Sequence, residues 1–261
     1  MDYSFYNIQM DKEIYLIKSI DRQNLSSTTS NTFDIKFQNY LEGKFELVYA
    51  IIPNNLYNVY NYTINSVTYG NNKLYFNENS TNKTATLTAG FYTTIGASSI
   101  ATEVQSALNT ASGGYATFTV TLSSITGLLT ISSTQNFSLK FASNSLYSSS
   151  YLLGFPNTDT SAGTSAVSTY VPRLNVPSSL SINIRQTSIS GFQTGTGQYG
   201  SIIIPLDVSF GDIKYYTVKN DFCQYIRLDR PLSVMTIEIR DTAGNILNMN
   251  GNDFEVAIKK C

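Results

Sequence analysis

Four carboxylates fall on or beside strand-like runs in the C-terminal part of the chain: Asp207, Asp212, Glu238 and Asp253. Two acids at the right separation are what glycoside hydrolysis requires, although charged residues on the solvent face of strands account for the same positions without chemistry. Histidine is absent altogether. Its absence removes Ser-His and Cys-His nucleophile pairs, histidine-containing metal sites and the commonest general base. The two cysteines, Cys223 and Cys261, are too few and too scattered for a zinc site or a disulfide framework, and read as reduced thiols. Gly195-Thr-Gly197-Gln-Tyr-Gly200 has the spacing G-x-G-x-x-G, but a dinucleotide fingerprint follows a strand and opens a helix. Here it opens the strand SIIIPL and reads as a loop. Asp241 to Asn245 lacks the alternating acids and terminal Glu of a calcium loop and reads as a tight connection between strands. No catalytic, cofactor-binding or metal-binding residue is expected.

The elements around these residues are mostly strands. Residues 1–31 read as an extended, polar N-terminal arm ending in NLSSTTSN. TFDIKF then alternates Phe33, Ile35 and Phe37 against Asp34 and Lys36, and turns at Leu41-Glu42-Gly43 into FELVYAII. Six more runs follow near the end of the chain: SLSINIRQ, GSIIIPLDV, IKYYTV, QYIRLD, SVMTIEIRD and DFEVAIKK. Eight antiparallel strands of this length predict an all-β fold, a single eight-stranded jelly-roll sandwich built from residues 32–61 and 173–261.

Residues 62–172 interrupt that series and predict a small inserted α+β domain. Strands are expected at NKLYFNEN and TATLTAG, followed by a helix over SSIATEVQSALNTA. In the helix Ile100, Val104, Ala107, Leu108 and Ala111 share one face, with Ser98 or Ser99 placed to cap it. A hairpin, YATFTVTLSSITGLLTISST, and the strand FSLKF complete a ββαβββ order. The Ser/Thr/Gly run from Asn157 to Thr169 reads as an exit linker.

Charge is low and balanced, 17 Lys+Arg against 18 Asp+Glu, so the basic face that holds nucleic acid is not expected. Acidic residues stand where a signal peptide carries basic ones, and no apolar run is long enough to be a transmembrane segment. Few charges and a net charge of -1 favour association. The 19 tyrosines fit core packing, a subunit contact or a sugar-binding platform, with Tyr49, Tyr57, Tyr60 and Tyr62 gathered near one strand end. FELVYAII poses its own question, because after Glu46 it is apolar on both faces. The alternation puts Phe45, Leu47, Tyr49 and Ile51 in the core and Val48, Ala50 and Ile52 on the opposite face, against a neighbouring subunit, the arm or another segment of the same chain.

Three strings occur in order: YLIKSIDRQNLSSTTSNTFDIKF, with Ser19, Asp21 and Arg22; FELVYAIIPNNLYNV, with Tyr57; and AGFYTTIGASSIATEVQSALNTA with the following hairpin and LLGF at Leu152 to Phe155. Together they resemble the penton, or minor capsid, proteins of virophages, Polinton-like viruses and large eukaryotic double-stranded DNA viruses. The resemblance implies a jelly roll at the fivefold vertices of an icosahedral virion, assembled inside the infected host cell. The implied partners are four further copies in a homopentamer and the major capsid protein, with a host receptor or vertex fibre left open. It brings no catalytic residue and no cofactor. Val48, Ala50, Ile52, Tyr57 and Arg22 are the expected subunit-interface residues. Two other readings stand beside this one: a vertex-attachment protein that holds a receptor or glycan through the inserted domain, and a carbohydrate-active enzyme on the same scaffold.

Overall fold

The computed structural model describes residues 13–23, 31–175, 177–186, 192–193, 199–200, 202–218 and 224–261. Its strands and one helix are β1 (Ile14–Lys18), β2 (Thr32–Pro53), β3 (Asn61–Ile64), β4 (Val67–Gly70), β5 (Lys73–Glu78), β6 (Thr81–Thr86), α1 (Ile100–Ser112), β7 (Phe118–Leu122), β8 (Leu129–Leu139) and β9 (Gly163–Val167), then β10 (Ser179–Ile184), β11 (Phe192–Gln193), β12 (Tyr199–Gly200), β13 (Ile202–Pro205), β14 (Ile213–Thr217), β15 (Tyr225–Asp241) and β16 (Glu255–Lys260). The chain divides into two compact units, Met1–Asn55 with Pro177–Cys261, and Leu56–Val176.

The first unit is the jelly roll. Two long strands, β2 and β15, each run through both of its layers. The N-terminal part of β2 pairs with the C-terminal part of β15 (Thr32↔Glu238 to Lys36↔Val234), and β10 and β13 extend that layer. The C-terminal part of β2 pairs with β16 on one side and β14 on the other, while β1 closes the outside edge of β16. The change of layer falls at two register shifts between β15 and β2, around Leu228, Leu232 and Val234. Pro231 sits in this interval, where its missing N–H costs no ladder bond, and Gly43, the partner of Leu228 at the edge of the interval, has φ +100, a conformation that other residues resist. The inner faces supply the core: Ile17, Phe45, Leu47, Val256 and Ile258 from one layer, and Phe33, Ile35, Met235, Ile237, Ile182 and Ile204 from the other. Phe33 and Phe254 pack with ring centroids 5.8 Å apart.

Three expectations are corrected here. Residues 14–18, placed in an extended arm, form the edge strand β1, and QYIRLD, counted as a separate strand, is the first half of β15. TFDIKF and FELVYAII are likewise one strand, β2, with no turn at Leu41-Glu42-Gly43, so among the described residues the expected eight strands are seven: β1, β2, β10, β13, β14, β15 and β16. Residues 1–12 and 24–30 of the expected arm lie outside the described residues, as do Gly195 and Gly197.

In the inserted unit α1 packs on a five-stranded sheet ordered β6-β5-β8-β7, with β9 also paired to β8. Ser99 caps the helix by accepting the Ala101 N–H at 3.2 Å, and Gly113 ends it in the left-handed region at φ 66. Ile100, Val104, Ala107 and Leu108 are buried and Ala111 packs beside them, the face predicted by their spacing. The expected linker is corrected in part, since Gly163–Val167 within it is strand β9. A hairpin, β3–β4, was also not anticipated. Its turn, and the β5–β6 turn, put Asn-Ser pairs (Asn65-Ser66, Asn79-Ser80) at positive φ, the geometry that suits the twist of paired strands.

Candidate assembly interface

The stretch that is apolar on both faces has a structural explanation in a β-bulge. Against β16, Leu47 faces Ile258 and Tyr49 faces Ala257, so Val48 is an extra residue with no partner. One inserted residue exchanges the two faces. Before the bulge Phe45 and Leu47 point inward; beyond it Ala50 and Ile52 do, both at 0% exposure, while Tyr49 and Ile51 turn outward and stay half-buried. The expected assignment of Val48, Ala50 and Ile52 to one outer face is thus corrected: the chain's own core takes Ala50 and Ile52.

The outer face of this layer follows from the register. One cross-strand row runs Lys18, Glu255, Ile51, Tyr215, and the next runs Leu16, Ala257, Tyr49, Thr217. Leu16 is 44% exposed, Tyr215 69% and Ile213 47%, and Ala257 is fully buried between its neighbours. An apolar lane therefore crosses the layer from the β1 edge to the β14 edge. The charges on this face are paired, Lys18 and Glu255 within the first row and the others beside the lane. Lys18 Nζ lies 3.3 Å from Glu255, Lys259 pairs with Glu46, and Lys44 Nζ sits 3.4 Å above the Tyr225 ring. The Tyr49 hydroxyl donates to Glu255 and, with Lys18, holds that carboxyl below its usual 4.5; the same hydrogen bond raises the Tyr49 hydroxyl.

Arg22 is not presented outward. Its Nη1 donates to the Ser19 carbonyl at 2.6 Å and to Asp253 Oδ1 at 2.7 Å. Ser19, fully buried in a short 3-10 turn after β1, donates to the same Asp253 oxygen and accepts the Phe254 N–H. This clasp ties the end of β1 to the start of β16. Tyr57 lies in the inserted unit and is 38% exposed. Tyr60, Tyr62 and Tyr69 form a ladder there, with centroids 5.4 and 5.6 Å apart. Leu16, Ile51 and Ile213 are interface candidates that sequence reasoning missed, whereas Tyr215 is among the tyrosines for which a subunit contact is one of the expected roles. The alternation of Ile213 and Tyr215 is legible in the sequence, whereas Leu16 joins this face only because β1 pairs with β16.

Three of the four carboxylates are held in ion pairs. Glu238, 3% exposed, is held by Arg185 and Arg240 in ion pairs, Asp253 by the clasp and Asp207 by Lys214. Asp212 is exposed and is tied in through its backbone, whose carbonyl accepts the Asn54 N–H. Asp241 Oδ1 accepts the N–H groups of Ala243 and Asn245, which makes that segment the expected turn. Cys261 is exposed and forms no disulfide among the described residues, and Cys223 lies outside them. Among the described residues no helix is long and apolar enough to cross a membrane.

By fold, then, this is an all-β protein: one jelly roll carrying an α+β unit between two of its strands. No protein-family model and no curated protein matches the chain. Among solved structures it is similar to the mavirus penton protein, crystallised with selenomethionine, at 8% identity and a TM-score of 0.46 over 95% of this chain and 98% of that one.

Proposed function

We propose that this chain is a structural capsid protein, a penton that forms pentamers at the fivefold vertices of an icosahedral virion and contacts the major capsid protein around it. The observation that carries the reading is the apolar lane across the outer face of one jelly-roll layer. An exposed apolar strip on a sheet invites a partner, and a closed ring of identical copies covers it by setting one patch against a different patch of the next copy. Three further features support it. The chain has no histidine, its net charge is -1, and the resembling strings fall on the clasp, on the end of β2 and on the helix-bearing core. Val48 and Tyr57 remain in the proposed contact, Ala50 and Ile52 act beneath it, and Arg22 positions β1.

The test is the mass of the purified protein by light scattering or mass photometry. A pentamer weighs about 145 kDa, five times the 28.9 kDa chain. Tyr215→Glu or Val48→Lys is expected to return it to the monomer mass. A trimer, or a pentamer indifferent to both substitutions, rejects the assignment.

A further inference from the structure

We infer that the inserted unit carries a binding cleft for a neutral saccharide, formed where β8 parts from β9. Ser132 faces Ser165 and Phe137 faces Gly163, so β8 spends five residues where β9 spends two. The surplus leaves the ladder, and Thr134, Gln135 and Asn136 stand exposed. Bulges of this kind are a common means of aiming side chains into a site. The Asn79-Ser80 turn forms a second wall and Tyr115, 45% exposed, a third. Two residues beyond Tyr115 the chain is tied to the bulge, because the Thr117 N–H donates to Thr134 Oγ1 and the Thr134 N–H donates to the Thr117 carbonyl, at 3.0 and 3.1 Å. Phe137, 3% exposed and edge-on to Phe118 at 5.2 Å, anchors the cleft to the core.

The volume is about 440 Å³, within the range of small-ligand sites. Its chemistry selects the ligand class. No Asp, Glu, Lys or Arg lines it. A phosphate or carboxylate entering here loses water without gaining a counter-charge, and an apolar ligand meets mostly amides and hydroxyls. Each amide offers a donor and an acceptor side by side, which matches adjacent sugar hydroxyls, and an exposed tyrosine ring packs against the C–H face of a pyranose. The side-chain amides of Asn79, Gln135 and Asn136 have no partner among the described residues. A second exposed cluster makes the contrast. Arg173 lies 4.1 Å above the Tyr151 ring and 5.9 Å from that of Tyr170, and a site of that kind suits an acidic sugar.

The experiment is a glycan array carrying neutral and sialylated oligosaccharides, probed with the full chain and with Tyr115→Ala, Gln135→Ala and the double variant. Neutral oligosaccharides are expected to bind, each single substitution to weaken binding about tenfold, and the double variant to abolish it. Exposed positions leave the melting temperature unchanged, which separates lost binding from lost fold. The inference is overturned if no neutral oligosaccharide binds, if only sialylated ones do, or if neutral binding survives in the double variant. The cleft lies wholly in the inserted unit, so the array reports on it while light scattering reports separately on the pentamer.

Discussion

Replacing Ile51 and Ile52 separately by alanine tests the bulge at Val48 and everything built on it. Regular alternation from Phe45 makes Ile51 the core residue, whereas the bulge makes it Ile52, which is 0% exposed while Ile51 is half-buried. Cutting a fully buried isoleucine to alanine removes three carbons from a packed site and costs about 2–5 kcal/mol. Ile51 keeps part of its surface in water, and its truncation costs about 1 kcal/mol. The loss of β-propensity is common to both and cancels in the comparison. The expected difference, about 2–3 kcal/mol, corresponds to roughly 5–10 °C in melting temperature for a unit of this size. Urea titration followed by tyrosine fluorescence, in a chain without tryptophan, measures it at concentrations where copies are dissociated. Equal losses, or a larger loss at Ile51, refute the exchange of faces and with it the outward lane of Tyr49, Ile51 and Tyr215. Repeated on the assembled form, Ile51→Ala is expected to show a concentration-dependent loss that Ile52→Ala lacks.

Three other outcomes are expected. Glu78 is fully buried in the inserted unit, paired with Lys83 and accepting from Ser112 Oγ, so Lys83→Met strands a carboxylate and costs about 3–5 kcal/mol. Glu78→Leu in the same background recovers most of that loss in denaturant titrations. Gly154 has φ +78, and a Cβ there comes within 2.0 Å of the Tyr170 carbonyl oxygen, so Gly154→Ala is expected to cost at least about 3 kcal/mol and to lower soluble yield. Glu255 is held below 4.5, so the stability it contributes is present above that value and is lost as pH falls through its lower folded-state pKa. Glu255→Gln is expected to flatten the melting temperature against pH in the acidic range, and an unchanged slope assigns the acid sensitivity to other carboxylates.

Local patterning carried much of this molecule. Ile100, Val104, Ala107 and Leu108 recur at helical spacing and lie together on one face, and Ser99 caps them, because periodicity and capping are settled within a few residues. The strand runs are legible for the same reason, and the lack of histidine restricts the available chemistry before any folding. Three features were decided by distant partners. Ile14–Lys18 becomes a strand only because β16, at the far end of the chain, offers it an edge with Ile14 opposite Lys259. Gly163–Val167, a linker by composition, is paired because β8 has an open side. At Val48 the sequence leaves no mark, since valine suits a regular strand and a bulge equally. Only the register against Ala257 and Ile258 reveals the extra residue, and that one residue determines which apolar face the chain buries and which it leaves for a partner.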